Sequence, residues 1–150
     1  MIRAAGAADV DAIAGLIERA YARYVSRIGR RPAPMDADHA GHVARGEQFV
    51  LADEATGAVL GAVVLVPRAD HLYVDNLAVE PDRHGAGLGR ALLAFADAEA
   101  RRRGLPELRL HTNVKMTENL AIYHHLGWEE TGREQVGPYT RVAFRRCLAP

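Results

Sequence analysis

Alternating glycines between a strand pattern and a helix pattern constrain the fold more than any other feature of this sequence. Gly85, Gly87 and Gly89 take every second position in residues 81–93, PDRHGAGLGRALL. The apolar run 72–79 before them indicates a strand, and the residues after them have helical spacing. At such a junction, unpaired N–H groups and the helix dipole both favour an anion. The segment therefore predicts a phosphate-binding loop, with an ordinary flexible turn as the alternative.

The residues of this loop do not match two well-known phosphate-binding motifs. Each glycine removes a Cβ that would hold a bound group away from the backbone N–H groups or forbid the required φ. A P-loop needs Gly-Lys-Ser/Thr after its second glycine, and a dinucleotide fingerprint needs glycine where Arg90 stands. The sequence thus disfavours a nucleoside triphosphatase and a Rossmann enzyme.

The apolar patterns along the chain predict the order β-α-α-β-β-β-α-β-α-β-β. Helices are predicted at about 10–24, 36–45 (capped by Asp36), 87–103 and 117–126. Strands are predicted near Ile2 and at 48–52, 59–66, 72–79, 108–112, 128–133 and 141–147. The three strands from 48 to 79 are expected to be antiparallel. We expect one mixed α/β domain over residues 1–150, with a central, mostly antiparallel sheet flanked by helices.

Composition narrows the classes of partner. The 150 residues carry 19 Lys and Arg against 19 Asp and Glu, so the chain lacks the positive field of a typical nucleic-acid binder. The longest apolar run, 58–67, is far shorter than the roughly 20 residues that span a bilayer. Cys147 is the single cysteine, and Asp9 interrupts the start before any signal-peptide core forms. We expect a cytoplasmic protein that binds neither nucleic acid nor membrane.

Two segments of the sequence resemble the GNAT N-acetyltransferase superfamily. Residues 79–89, VEPDRHGAGLG, resemble its coenzyme A loop, Val-x-Pro-x-x-Gln/Arg-Gly-x-Gly-x-Gly/Ala. Residues 119–128, NLAIYHHLGW, are similar to its Asn-x-x-x-Tyr-x-x-Leu-Gly-Phe segment. The likeness is clearest from about 50 to 133, and the predicted element order matches the family fold. Two positions depart from the pattern: His84 replaces the usual Gln/Arg, and Met116 stands where many members have asparagine, for which Asn119 can substitute.

The resemblance implies direct transfer of an acetyl group from acetyl-CoA to a primary amine of a small molecule or a peptide N-terminus. No metal is expected. Tyr123 matches the tyrosine that lies near the thioester sulfur and acts as general acid, and a core tyrosine is the alternative. The implied coenzyme contacts are the backbone of Leu77, Ala78 and Val79 for pantetheine, the amides of His84, Gly85, Ala86, Gly87, Leu88, Gly89 and Arg90 for pyrophosphate, and Asn119.

The general base has two candidates. An amine with an ordinary pKa of about 10.4 is protonated at neutral pH, so a base or a water chain must remove its proton. His111 stands twelve residues before Tyr123, where the resemblance to ribosomal-protein N-terminal acetyltransferases places a glutamate. Asp75 is the competitor, because other members take a carboxylate base from its strand. Either residue could instead be a surface or capping residue.

The acceptor is the least constrained part of the prediction. In the resembled fold, the segment between the first two helices and the final hairpin flank the acceptor cleft. These segments contain Tyr21, Tyr24, Arg27, Arg30, Arg31 and Tyr139. The arginines would suit a carboxylate or phosphate on the acceptor, or they form a solvated loop.

Three further alternatives are open from the sequence. The pairs His39/His42 and His124/His125 have no accompanying metal-ligand pattern, and Cys147 is typical of a small core residue. A homodimer is left open. A non-catalytic acyl-CoA-binding module is the alternative function, although it would not need Tyr123.

Overall fold

The computed structural model describes residues 1–83 and 85–149 and confirms the predicted order of elements. The strands are β1 (Ile2–Ala4), β2 (Gln48–Ala52), β3 (Val59–Pro67), β4 (Leu72–Val79), β5 (Glu107–Asn113), β6 (Glu129–Val136) and β7 (Tyr139–Cys147). The α-helices are α1 (Val10–Ile28), α2 (His39–Ala44), α3 (Leu88–Arg102) and α4 (Thr117–His125). Short 3₁₀ turns lie at Ala7–Asp9, Ala33–Asp36 and Pro81–Arg83. None of the helices in the described part of the chain combines the length and hydropathy needed to cross a membrane.

The strands form one sheet in the order β1-β2-β3-β4-β5-β7-β6. Neighbouring strands are antiparallel at every pair except β4 and β5, which are parallel. The prediction of a mostly antiparallel sheet is therefore confirmed. The parallel pair exists because α3 carries the chain from the end of β4 back to the start of β5.

β4 and β5 separate halfway along β4. They pair through Leu72, Tyr73 and Val74, while β4 continues beside β3 as far as Val79. The register with β3 shifts at this point, so that Asp75 is the extra residue of a β-bulge in β4. The separation leaves a wedge-shaped opening in the sheet, and the candidate site lies there.

Helices cover both faces of the sheet. Ile13, Leu16 and Ile17 of α1 are at most 1% exposed and pack against one face, as their i, i+3, i+4 spacing predicts. Leu92 and Ala96 of α3 are completely buried against the other face. The sheet that contains the two separated strands is therefore packed between α1 and α3.

The predicted cap of the second helix needs correction. Asp38, not Asp36, caps α2, and its carboxylate accepts a hydrogen bond from the N–H of Gly41 at 3.0 Å. Asp36 instead ends the 3₁₀ turn Ala33–Asp36, because the prolines before it favour a tight turn over an α-helix. As a result, the segment between α1 and α2 crosses the mouth of the opening instead of continuing as helix.

Candidate active site

Two adjoining cavities lie near the opening in the sheet. The larger cavity, of about 720 Å³, lies between the end of β4, the start of α3 and α4. Most of the predicted coenzyme contacts line it: Leu77, Ala78, Val79, Gly85, Gly87, Leu88, Gly89, Arg90 and Asn119. Ala86 is not one of its lining residues, and the Ala86 N–H donates to the carbonyl of Arg83 at 3.2 Å. His84, the remaining predicted contact, lies outside the described residues. The fold thus brings the glycine loop, the strand end and Asn119 to one cavity.

The glycine loop leaves its backbone bare at the start of α3. Gly85 and Gly87 have positive φ values of 86° and 78°, and a Cβ added to either would meet no atom within 4 Å. Gly89 needs no unusual φ, and its added Cβ would lie 3.9 Å from Val79. The N–H of Ala91 donates to the carbonyl of Gly87 at the start of the helix. The N–H groups of the first turn precede it and make no backbone hydrogen bond to another described residue, so they suit an anion.

The outer half of β4 presents backbone groups to the larger cavity. The N–H of Glu80 donates to Leu60 of β3 at 2.8 Å, which fixes the direction of the alternating groups along β4. The N–H and C=O groups of Leu77 and Val79 therefore point away from β3, toward the opening. Tyr21 of α1 already donates one hydrogen bond to the carbonyl of Leu77 at 3.2 Å. An extended ligand could add to this edge as another strand would.

A smaller cavity of about 280 Å³ adjoins the larger one. Its walls come from the segment 32–37, from β4 and β5, and from the hairpin of β6 and β7. Five residues line both cavities: Tyr21, Leu77, Met116, Asn119 and Tyr123. These residues mark a junction at which molecules bound in the two cavities would meet.

Tyr123 lies at this junction, where its ring packs against aromatic side chains. Its ring packs against Trp128 and Phe144, with centroid distances of 5.6 and 5.5 Å, and the residue is 8% exposed. Burial raises the pKa of Tyr123 to about 12, so the hydroxyl keeps its proton at neutral pH. The ring belongs to the core and the residue also lines both cavities, while its role as general acid stays a prediction.

His111 and Tyr73 form a hydrogen-bonded pair on the wall of the smaller cavity. The Tyr73 hydroxyl lies 2.6 Å from Nδ1 of His111, and Nε2 of the same ring lies 3.7 Å from Glu134. A proton on Nε2 therefore satisfies both neighbours, with Tyr73 donating to Nδ1. Burial, reinforced by nearby Arg141, lowers the pKa of His111 below its ordinary value of 6.5. The ring is consequently neutral at pH 7.

Asp75 lines the same smaller cavity from the bulge in β4. Its side chain is 41% exposed, and Oδ2 lies 3.6 Å from Nε2 of His42. Nδ1 of His42 in turn lies 2.9 Å from Glu47, so the imidazole is held between two carboxylates. The structure thus places both predicted base candidates, His111 and Asp75, at one cavity.

The arginines predicted near the acceptor are used elsewhere. Arg27 pairs with Glu118 at 2.6 Å, and Arg31 pairs with Glu18 at 2.6 Å. Within residues 1–83 and 85–149, neither these two nor Arg30 are lining residues of either cavity. Arg141 of β7 lines the smaller cavity instead.

Sequence reasoning missed the partners of the two base candidates. Tyr73, two residues before Asp75, carried a signal that went unused, since alternate residues of one strand share a face. No local pattern of the sequence links His42 and Glu47 to Asp75, because Asp75 lies on a different element from either residue. In the described part of the chain, the structure contains no cluster of three or more His, Cys, Asp or Glu side chains placed to hold a metal ion.

Comparison with known proteins places the chain in a family. Residues 45–130, more than half of the chain, match the sequence model of the acetyltransferase (GNAT) domain. The IAA acetyltransferase of Azospirillum brasilense is 29% identical over 134 residues, which are 86% of this chain and 83% of that protein. The mycothiol acetyltransferase of Salinispora arenicola is 38% identical over 92 residues, 61% of this chain but 26% of that longer protein.

Solved structures show the same fold. The ribosomal-protein-S18-alanine N-acetyltransferase of Escherichia coli superposes with a TM-score of 0.73 at 24% identity, covering 97% of this chain and 90% of the other. The family match spans the glycine loop and Tyr123, so the residues that line the larger cavity are largely those that the family model describes. This chain belongs to the GNAT acetyltransferase family.

Proposed function

We propose that this chain is a single-domain N-acetyltransferase that uses acetyl-CoA and acetylates a primary amine of a small molecule or a peptide N-terminus. The observation that carries the proposal is the junction of the two cavities at Tyr123. The larger cavity would hold the coenzyme and the smaller cavity the acceptor. Direct transfer follows, because the two ligands would meet without a protein nucleophile between them.

The larger cavity suits the parts of coenzyme A. Its glycine loop presents bare backbone and the positive end of α3 to a pyrophosphate, and no acidic residue lies in the first turn of that helix. The outward backbone groups of Leu77 and Val79 suit the amides of a pantetheine arm. Asn119 and Tyr123 lie where that arm would end, at the junction with the smaller cavity.

The coenzyme supplies a thioester, and in the reaction its C–S bond breaks as a C–N bond to the acceptor forms. Tyr123 would donate its hydroxyl proton toward the departing sulfur, because burial keeps that hydroxyl protonated. His111 would take the proton from the amine, because its lowered pKa keeps the ring neutral at pH 7. Each proton that enters or leaves the site is then assigned to a residue that lines the smaller cavity.

Tyr73 would act between the amine and His111. Its hydroxyl donates to Nδ1, so it can pass its own proton to the ring while it accepts one from the amine. Asp75 is the alternative base, and its carboxylate lies on the same cavity wall. The two assignments predict different dependences of turnover on pH.

A thiol-release assay tests the proposed function. Purified protein is supplied with acetyl-CoA and a panel of primary amines and peptides, while calorimetry measures coenzyme binding in parallel. We expect acceptor-dependent release of thiol and a mass increase of one acetyl group on the acceptor. Tight coenzyme binding with transfer to no acceptor would instead identify a non-catalytic acyl-CoA-binding module.

A further inference from the structure

We infer that the acceptor is a small primary amine that carries one positive charge on an apolar or aromatic body. The inference rests on the proposed function and narrows its choice between small molecules and peptides. Three properties of the smaller cavity support the inference: its size, the charged groups that line it, and its apolar side chains.

A hydrogen bond joins two of the segments that form the walls of the smaller cavity. The hydroxyl of Tyr139, in the β6–β7 hairpin, donates to the carbonyl of Arg31 at 2.7 Å. It joins the hairpin to the segment before the turn Ala33–Asp36, and both of these strips of chain line the cavity. The volume of about 280 Å³ is at the low end for ligand pockets, roughly 300–1,000 Å³. A small molecule fits this volume, whereas a longer peptide would have to extend between the two segments that this hydrogen bond joins.

The cavity offers one carboxylate without an arginine partner. Of its described lining residues, Asp75 is the acidic one and Arg141 the arginine. Arg141 is already neutralised by Glu134, since its Nε donates to that carboxylate at 2.7 Å and its Nη2 also lies beside it. The available charge therefore matches one ammonium group. A carboxylate on the acceptor would compete with Glu134 for Arg141, and a second ammonium would find no second free carboxylate in the described part of the cavity.

Asp75 lies beside His42 and near the larger cavity. His42 lies 3.6 Å from its carboxylate, and Glu47 fixes the other nitrogen of the His42 ring. Asp75 is also two residues before Leu77, at the junction with the larger cavity. An ammonium bound to Asp75 would therefore lie close to the acetyl group that the amine attacks once His111 has taken its proton.

The remaining walls favour an apolar body. Aromatic and aliphatic side chains line most of the cavity, namely Tyr21, Tyr73, Tyr139, Pro32, Pro34, Val74, Leu110 and Val136. Flat aromatic rings and proline faces pack well against another ring. Asn76, Thr112 and Asn113 add uncharged polar groups, which select orientation without demanding a second charge.

Four acceptors of graded chemistry test the inference. 2-Phenylethylamine has one positive charge and an aromatic body, and L-phenylalanine adds a carboxylate to it. Spermidine has several ammonium groups. A tetrapeptide with N-terminal alanine is too long for the volume of the smaller cavity. We expect kcat/KM for 2-phenylethylamine to exceed that for each of the others by at least about tenfold. A higher kcat/KM for the peptide or for spermidine would overturn the inference and leave the proposed function intact. Transfer to none of the four, but to another amine of the wider panel, would overturn the inference alone, and transfer to no amine at all, with coenzyme bound, would overturn both.

Two variants test the structural reasons. Asp75→Asn should raise KM for 2-phenylethylamine by about tenfold, whereas the same change at exposed Asp11, outside both cavities, should leave it unchanged. Tyr139→Phe keeps the ring and removes the hydrogen bond to Arg31, so it should reduce the discrimination against the tetrapeptide. An unchanged KM in Asp75→Asn would contradict the proposed contact between Asp75 and the ammonium group. Unchanged discrimination in Tyr139→Phe would contradict the proposed exclusion of peptides by the hydrogen bond to Arg31.

Discussion

The hydroxyl of Tyr73 lies 2.6 Å from Nδ1 of His111 across the parallel strands β4 and β5. The pair lies on the cavity wall that also contains Asp75, so one wall presents both candidate bases. When the neutral imidazole carries its proton on Nε2, toward Glu134, the hydroxyl of Tyr73 donates to Nδ1. A proton can then reach His111 through the tyrosine without movement of the ring.

A pH profile distinguishes His111 from Asp75. If His111 is the base, turnover at saturating coenzyme should rise with pH through a step below the ordinary histidine value of about 6.5, because burial and Arg141 lower its pKa. A slow acceptor with a much higher pKa keeps its own ionisation separate. His111→Ala should remove the step and lower turnover, while Asp75→Asn should retain the step. The opposite pattern would assign the base to Asp75.

Tyr73→Phe should move the same step to higher pH and lower turnover by roughly tenfold or more. The hydroxyl stabilises the neutral form of His111 by donating to Nδ1, so its loss raises the pKa of the ring. Profiles of Tyr73→Phe and Tyr123→Phe are compared, since the latter should lower turnover without moving the step. A step at the wild-type position in Tyr73→Phe would show that the pair does not act together.

Tyr123→Phe should reduce turnover by roughly 10²-fold, the usual scale for loss of a general acid. Coenzyme affinity should change little, because the ring retains its packing against Trp128 and Phe144. Steady-state kinetics and calorimetry of the two proteins measure these effects. Wild-type turnover in the variant would leave Tyr123 with its core role alone.

Gly87→Val should abolish coenzyme binding through the loop and not through unfolding. Gly57 supplies a matched control, since its φ is 76° against 78° for Gly87 and its surroundings are equally open. Both valines are strained by the positive φ, so both should lower thermal stability to a similar extent. Titration with coenzyme A should show loss of affinity in Gly87→Val and wild-type affinity in Gly57→Val. Equal affinity in both would refute a phosphate contact at Gly87.

Leu92→Ala should destabilise the fold by about 2–5 kcal/mol, as is usual for a fully buried leucine. Leu92 is in close contact with the backbone position of Gly61 in β3, so its loss leaves a cavity between helix and sheet. Leu93→Ala, at a partly buried neighbour, should cost less. Urea denaturation of the three proteins measures the difference, and equal losses would mean that α3 is held mainly by its other face.

Local patterns were sufficient to predict the elements and the glycine loop, and they failed where distant segments meet. The strands Gln48–Ala52 and Leu72–Val79 are as predicted, because alternation and flanking turn residues are local signals. The bulge at Asp75 depends on the register between β3 and β4, which no single segment encodes. Tyr73 and His111 are 38 residues apart and meet through a parallel pair. Arg27 could not be assigned because its acidic partner Glu118 lies 91 residues away in the sequence.

The segment 32–37 and the tip of the β6–β7 hairpin both fall outside residues 45–130, the part that matches the family model. The glycine loop, the outer half of β4 and α4 fall inside it. A chimera that exchanged the two outer segments with those of another family member should therefore change acceptor preference and retain coenzyme affinity. The hydroxyl of Tyr139 donates a hydrogen bond to the carbonyl of Arg31, which directly precedes segment 32–37. The two segments would therefore have to be exchanged together.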